Sequence, residues 1–181
     1  MPHTSTDVIR RYLEDAIAAE KSFETQLQGF AREGDDEDVR SAFATHAEET
    51  RGQYTRLTAR LQELGGSPST AKSFLAHVFG LAPKSAQVGH APEERITQNL
   101  IMAFTVENSE CAMYEALAAA AEAAGDTATE ALAREIQAEE RQTADKVWGF
   151  IATRAKIAFN LLTAAETDPS VNTRAAGNRL I

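Results

Sequence analysis

Apolar positions recur along this chain at alternating three- and four-residue intervals, the rhythm that places them on one face of an α-helix. The first stripe runs Ile9, Tyr12, Leu13, Ala16, Glu20, Phe23, Leu27, Phe30. Thr4 to Thr6 offer N-caps before it and Gly34 a stop behind it, so a helix is predicted over residues 6–33. Asp35 and Asp36 can cap a second helix with the stripe Val39, Phe43, His46, Thr50, Gln53/Tyr54, Leu57, Leu61, Leu64, which Gly65-Gly66 ends. The short connection makes these two antiparallel neighbours. Pro92 suits a first helical position, and Glu93-Glu94 complement the dipole of a third helix carrying Leu100, Phe104, Glu107, Cys111, Tyr114, Leu117 and Ala121 as far as Gly125. Asp126 or Thr127 caps a fourth, with Leu132, Ile136, Glu139/Glu140, Thr143, Val147, Phe150 and Ile151 inward. Its pattern continues through Phe159 and Leu161 before Asp168-Pro169 opens a polar tail.

Residues 66–91 break the rhythm. Gly, Ser and Pro punctuate them around one short amphipathic piece, Ser73–Leu81. A turn between adjacent helices needs no such length, whereas a crossover along the whole bundle does. Two antiparallel hairpins joined by one long crossover, here carrying a short helix, are the ferritin-like form of the four-helix bundle. The expectation is therefore an all-α domain over residues 1–165, with an extended last helix and a polar C-terminal tail over 166–181. A faint repeat agrees: Glu20 precedes Glu49 by 29 residues, as Glu110 precedes Glu139.

Composition narrows the functions. The 181 residues suffice for one domain with a sizeable core, and abundant alanine with few prolines and aromatics suits long helices. A net charge of −9 argues against nucleic acid or an anionic membrane as a partner. No apolar window is long enough for a transmembrane helix, and the N-terminus lacks the apolar stretch of a secretory signal. With Cys111 as the only cysteine, no internal disulfide can form. The cytoplasm is the expected compartment.

Against this plain background the inward stripes carry the wrong residues. Glu20, His46, Glu49, Glu107, Glu110 and the Glu139-Glu140 pair come from four separate helices, where a bundle interior should be apolar. A buried ionised carboxylate costs several kcal/mol unless something positive meets it. Dinuclear bundles place one glutamate on each of two helices and a Glu-x-x-His pair on each of the others, because positions three apart share a helix face. Here the first helix offers Glu20, the second His46 and Glu49 in reversed order, and the third Glu107 and Glu110. The fourth offers Glu139 or Glu140 and no histidine. Carboxylate oxygens with an imidazole suit iron or manganese. Four carboxylates neutralise two divalent cations, bridged by Glu49 or Glu110 and one glutamate of the fourth helix.

The segments AAEKS around Glu20, HAEETRGQ over His46–Gln53, VENSECAMY over Val106–Tyr114 and AEERQT over Ala138–Thr143 make the chain, from residue 8 to residue 147, similar to the ferritin-like proteins typified by the bacterial stress protein YciF. The resemblance implies a ferritin-like bundle, often dimeric, with a carboxylate-rich site between the helices and a link to stress responses. It leaves the activity unsettled. The chain departs from that pattern at Asn108 and Ser109, where the family carries His-Tyr, and at Ala144, where it often has an acidic residue. The stretch beyond residue 150 exceeds the usual family length, and its apolar positions suggest docking onto the bundle or a partner subunit.

Two functions follow as expectations. One is a homodimeric protein holding two Fe or Mn ions, with an oxidase- or peroxidase-like activity towards Fe(II) with O2 or towards peroxide. The other is a non-catalytic stress or interaction protein whose site is empty or structural.

Overall fold

A computed structural model describes residues 4–34, 36–68 and 89–167, and among these every regular element is helical. Helix α1 spans Ser5–Phe30 and α2 spans Glu37–Glu63. A 3₁₀ turn over Pro92–Glu94 leads into α3, Arg95–Ala124, and α4 spans Thr127–Thr167. The predicted Ser73–Leu81 piece and the tail from residue 168 lie outside the described residues.

The helix ends follow their caps. Thr4 accepts from the Asp7 amide at 3.1 Å while the Asp7 carboxylate accepts from the Thr4 amide at 3.1 Å, a reciprocal box. Asp36 caps α2 through the Val39 amide at 2.9 Å. α1 ends with its stripe at Phe30, short of the predicted residue 33, because the amide of Ala31 turns onto the carbonyls of Leu27 and Gly29 and the chain tightens. Gly34 then takes φ +77°, and a Cβ there would stand 2.4 Å from the Ile96 side chain. Only glycine lets the α1–α2 turn sit this close to the start of α3. Gly125, at φ +70°, ends α3 as its position predicted.

The direction of each helix follows from which residues share a core. One apolar cluster joins Leu13 and Ile17 early in α1 to Leu57 and Leu61 late in α2, Leu117 and Ala121 late in α3, and Ala133 and Ile136 early in α4. A second joins Phe23, Leu27 and Phe30 to Val39 and Phe43, Leu100 and Ala103, and Val147. α2 and α3 therefore run parallel, each entering at the same end of the bundle. The end of α2 and the start of α3 thus lie at opposite ends of the bundle, separated by about 40 Å for a helix like α2. Parallel second and third helices are the placement found in the ferritin-like arrangement.

Polar ties fasten the corners. Arg10 donates to the Leu64 carbonyl at 2.7 Å, and Arg60 reaches Asp126 at 2.7 Å and Thr129 at 2.8 Å, so the end of α2 holds both the start of α1 and the start of α4. α4, with 41 residues, outruns α1 with 26. Its last turns pair Arg154 with Asp36 and bury Ala158, yet leave Phe159 and Leu161 in solvent. Trp148 leans on Phe104 at 5.1 Å between ring centroids but stays 63% exposed.

This division of labour predicts a sharp contrast. Leu57→Ala, at a position with no solvent exposure, should cost about 2–5 kcal/mol in urea unfolding, and Trp148→Ala less than about 1 kcal/mol. Equal losses at the two positions would mean that the exposed face of α4 is covered in solution.

Candidate metal centre

Between the two apolar clusters lies a polar belt. α1 contributes Glu20 between Ile17 and Phe23; α2 contributes His46, Thr50 and Gln53 between Phe43 and Leu57. α3 contributes Glu107 and Glu110 between Val106 and Tyr114, and α4 contributes Glu140 and Thr143 between Ile136 and Val147. These belt and flanking positions are buried like the core and share its helix faces, so the belt is a layer of the interior and not an indentation of the surface. Glu20 and Glu107 have no solvent exposure, and Glu110, Glu140 and His46 are buried as well.

His46 is the hub. Its Nε2 donates to Glu107 Oε1 at 2.6 Å, and its Nδ1 lies 3.4 Å from Glu49 Oε2. Burial would push the imidazole pKa down, but the hydrogen bonds to Glu107 and Glu49 outweigh it and raise it to about 9. The edge of the ring meets Phe23 at 5.5 Å between centroids. His46, Glu107 and Glu140 bring one donor atom each within 4.8 Å of one another, a spacing that one cation can span. The Tyr114 hydroxyl donates to Glu20 from the other side of the belt.

Four carboxyl groups at this density cannot all ionise unaided. Burial raises Glu20 to about 8 despite the hydrogen bond from Tyr114. Burial, followed by the charges of Glu20 and Glu107, lifts Glu110 well above the carboxylate range. Glu140 rises likewise, through burial first and then its proximity to the Glu107 carboxyl. Five oxygens, Glu20 Oε2, Glu107 Oε2, Glu110 Oε1 and both of Glu140, are met by no hydrogen-bond donor among the described residues. Such orphaned oxygens are rare in a well-packed interior.

Glu24, one turn beyond the belt, shows how this protein treats a buried carboxylate it means to keep without help. It receives Lys21 at 3.0 Å, Arg51 at 2.9 Å and Gln28 at 3.2 Å. Burial alone would raise it, and the two cations lower it instead. Among the described residues no lysine or arginine donates a hydrogen bond to a buried carboxyl of the belt. The donor set it presents, carboxylate oxygens with one imidazole, fits a hard divalent metal.

The structure separates the two glutamates of the fourth helix. Glu140 turns into the belt, while Glu139 turns outward, where Arg56 donates to it at 3.0 Å and Gln53 at 3.1 Å. Glu49 also stands apart from the buried group, at the rim, with its side chain 42% exposed and Lys146 at 3.9 Å. The hydrogen bond from His46 holds its pKa down. Of the remaining histidines, His90 bonds Glu94 at 3.3 Å far from the belt, and His3 and His77 lie outside the described residues. Sequence reasoning singled out every buried ionisable member of the belt. It missed Arg56 and Gln53 as the partners that draw Glu139 away, since nothing local links them.

A family described as a domain of unknown function, DUF892, matches residues 4–158. The chain belongs to this family. Protein YciF of Escherichia coli K12 is 29% identical over 143 residues, which cover 77% of this chain and 86% of YciF. The crystal structure of that stress protein matches with a TM-score of 0.75 at 27% identity, over 86% of this chain and 99% of YciF. A Xanthomonas campestris protein reaches the same TM-score at 24% identity, covering 88% of this chain and 99% of its own. Dps from Staphylococcus aureus shares the fold more distantly, with a TM-score of 0.65 at 17% identity over 83% and 98% of the two chains. The DUF892 chain thus has a ferritin-like fold, and the four segments that carry the family resemblance surround its polar belt. No helix among the described residues is long and apolar enough to cross a membrane.

The belt makes stability depend on pH. Without metal, the folded chain keeps protons on carboxyls that the unfolded chain releases above about pH 4.5, so stability falls as pH rises from there to about 8, where Glu20 ionises. His46 acts in the same direction, its advantage lost between about pH 6.5 and 9. The Tm of chelator-treated protein should therefore drop steadily from about pH 5 to about pH 9, and Glu20→Gln should flatten the slope. A Tm that rises over this range would contradict the protonated belt.

Proposed function

We propose that this protein is a ferritin-like, stress-associated metalloprotein that holds a pair of iron or manganese ions between its four helices. The reading rests chiefly on the five buried carboxylate oxygens without donors, which have the number and chemistry that hard cations require. Glu20, His46, Glu107, Glu110 and Glu140 would hold the pair, with Glu49 at the rim. Four inward carboxylates offset two divalent charges, which removes the burial penalty that the belt otherwise carries. When bound, such a pair supplies redox chemistry towards dioxygen or peroxide. The association with stress comes from the name of the E. coli relative.

The chain's own residues prepare the site. In the metal-free state the His46 imidazolium is, among the described residues, the one positive group buried among the carboxyls, and its bonds to Glu107 and Glu49 fix the ring. To act as a ligand it gives up a proton, as do Glu20, Glu110 and Glu140. Tyr114 orients Glu20 by its hydroxyl, leaving Oε2 of that carboxylate available. The apolar clusters on both sides shield the belt from water and strengthen each charge interaction within it.

Elemental analysis after anaerobic Fe(II) or Mn(II) loading should find about two ions per chain. Glu20→Gln, Glu107→Gln and Glu140→Gln should each lower that number, and Glu139→Gln should leave it intact. A wild-type chain holding less than a few tenths of an ion would sink the proposal. Loading should also release protons, seen as a binding enthalpy that changes with the ionisation enthalpy of the buffer. Metal at a hundred times its Kd should stabilise the fold by about 2.7 kcal/mol.

A further inference from the structure

Beside the belt, where α2 and α4 face each other, lies a cavity of about 230 Å³ that the metal reading does not explain. Buried Val39, Phe43, Leu100 and Val147, with half-buried Phe150, make its walls, and His46 is part of the same lining. Its rim is exposed and comprises Ser41, Thr45, Glu49 and Lys146 together with Asp38. Closely packed interiors rarely enclose such a volume against aromatic and aliphatic walls. An apolar cavity of about 150 Å³ already takes up benzene, so this space exceeds the needs of dioxygen or peroxide alone.

The charges at the mouth indicate what kind of molecule fits. Glu49 is committed to His46 at 3.4 Å and to Lys146 at 3.9 Å, so these groups balance one another. Asp38 lies in the first turn of α2, where the helix dipole offsets its charge. No unmatched ion at the rim selects a charged guest. We infer that the cavity is a binding site for a small, uncharged, largely apolar organic molecule, held with one end against His46 and Glu49. The proposed metal pair matters to this inference only for the chemistry that would follow binding, because His46 and Glu49 are ligands in that reading.

Fluorobenzene titrated into the full metal-free chain and followed by ¹⁹F NMR tests the site directly. Saturable binding is expected, together with a shift of the His46 ring resonances, assigned by comparison with His46→Gln. Ala42→Phe, which fills the cavity from its half-buried wall, should weaken binding at least about 10-fold. Thr45→Trp, at the exposed rim, provides the same obstruction where a substitution cannot disturb the core. Non-saturable partitioning, an unmoved His46, or binding unaffected by a variant whose melting shows it folded would overturn the proposal. Loading with Mn(II) separates the two readings: a bound metal should broaden the line of the bound probe. A chain that takes up no Mn(II) yet still binds fluorobenzene at His46 would remove the metal pair and keep the cavity site, whereas bound Mn(II) without broadening would place the probe elsewhere and sink the inference.

Discussion

Placing four carboxyl groups and an imidazole in one layer of a helical bundle fixes the terms on which everything else in this structure must work. The layer interrupts the apolar interior at mid-length, so two separate clusters hold the four helices, one at each end. Neither cluster can compensate for movement in the other through continuous side-chain packing. Arg10 and Arg60 pin the end of α2 to its neighbours at one end of the bundle, while His46–Glu107 and Tyr114–Glu20 tie the helices together within the belt itself. Without ions, the layer is tolerated by holding protons and by the charged histidine at its centre.

The comparison within the molecule is the firmest guide to what the layer is for. Glu24 and Glu139 are carboxylates that the chain satisfies with its own arginines, lysine and glutamines. Glu20, Glu110 and Glu140 accept no hydrogen bond from a lysine or arginine among the described residues, although they are more deeply buried. A protein able to neutralise two acids so thoroughly has left three others for something else to meet. The adjoining cavity repeats that logic in apolar form, with walls that no segment among the described residues fills.

Much of this could be read in the sequence because helical periodicity is local. The stripes located all four helices, Gly34 and Asp36 marked the turn between α1 and α2, and Gly125 the turn between α3 and α4. Glu20 and Glu107 were legible because they sit on the stripes of α1 and α3, and Glu110 because it lies three residues from Glu107 on the same face. On α4 the steps Ile136–Glu139–Thr143 and Ile136–Glu140–Thr143 both obey the rhythm, so spacing could not choose between them. Arg56, 83 residues away along the chain, makes the choice by capturing Glu139. Glu49 was harder still: Thr50 shares the His46 face more fully, which leaves Glu49 at the edge. The cavity has no signature at all, since its walls come from three helices and a void is a property of their packing.

The division of the belt between hairpins has a consequence for how the protein is made. The first hairpin brings Glu20 and His46, and the second brings Glu107, Glu110 and Glu140. In the proposed metal reading, neither half would hold a complete ligand set. A nascent chain would then be unable to sequester an ion until the last helix had been synthesised and docked. Assembly order would act as a safeguard: metal would find no tight binding place on an unfinished molecule, and its capture would require both halves to have come together.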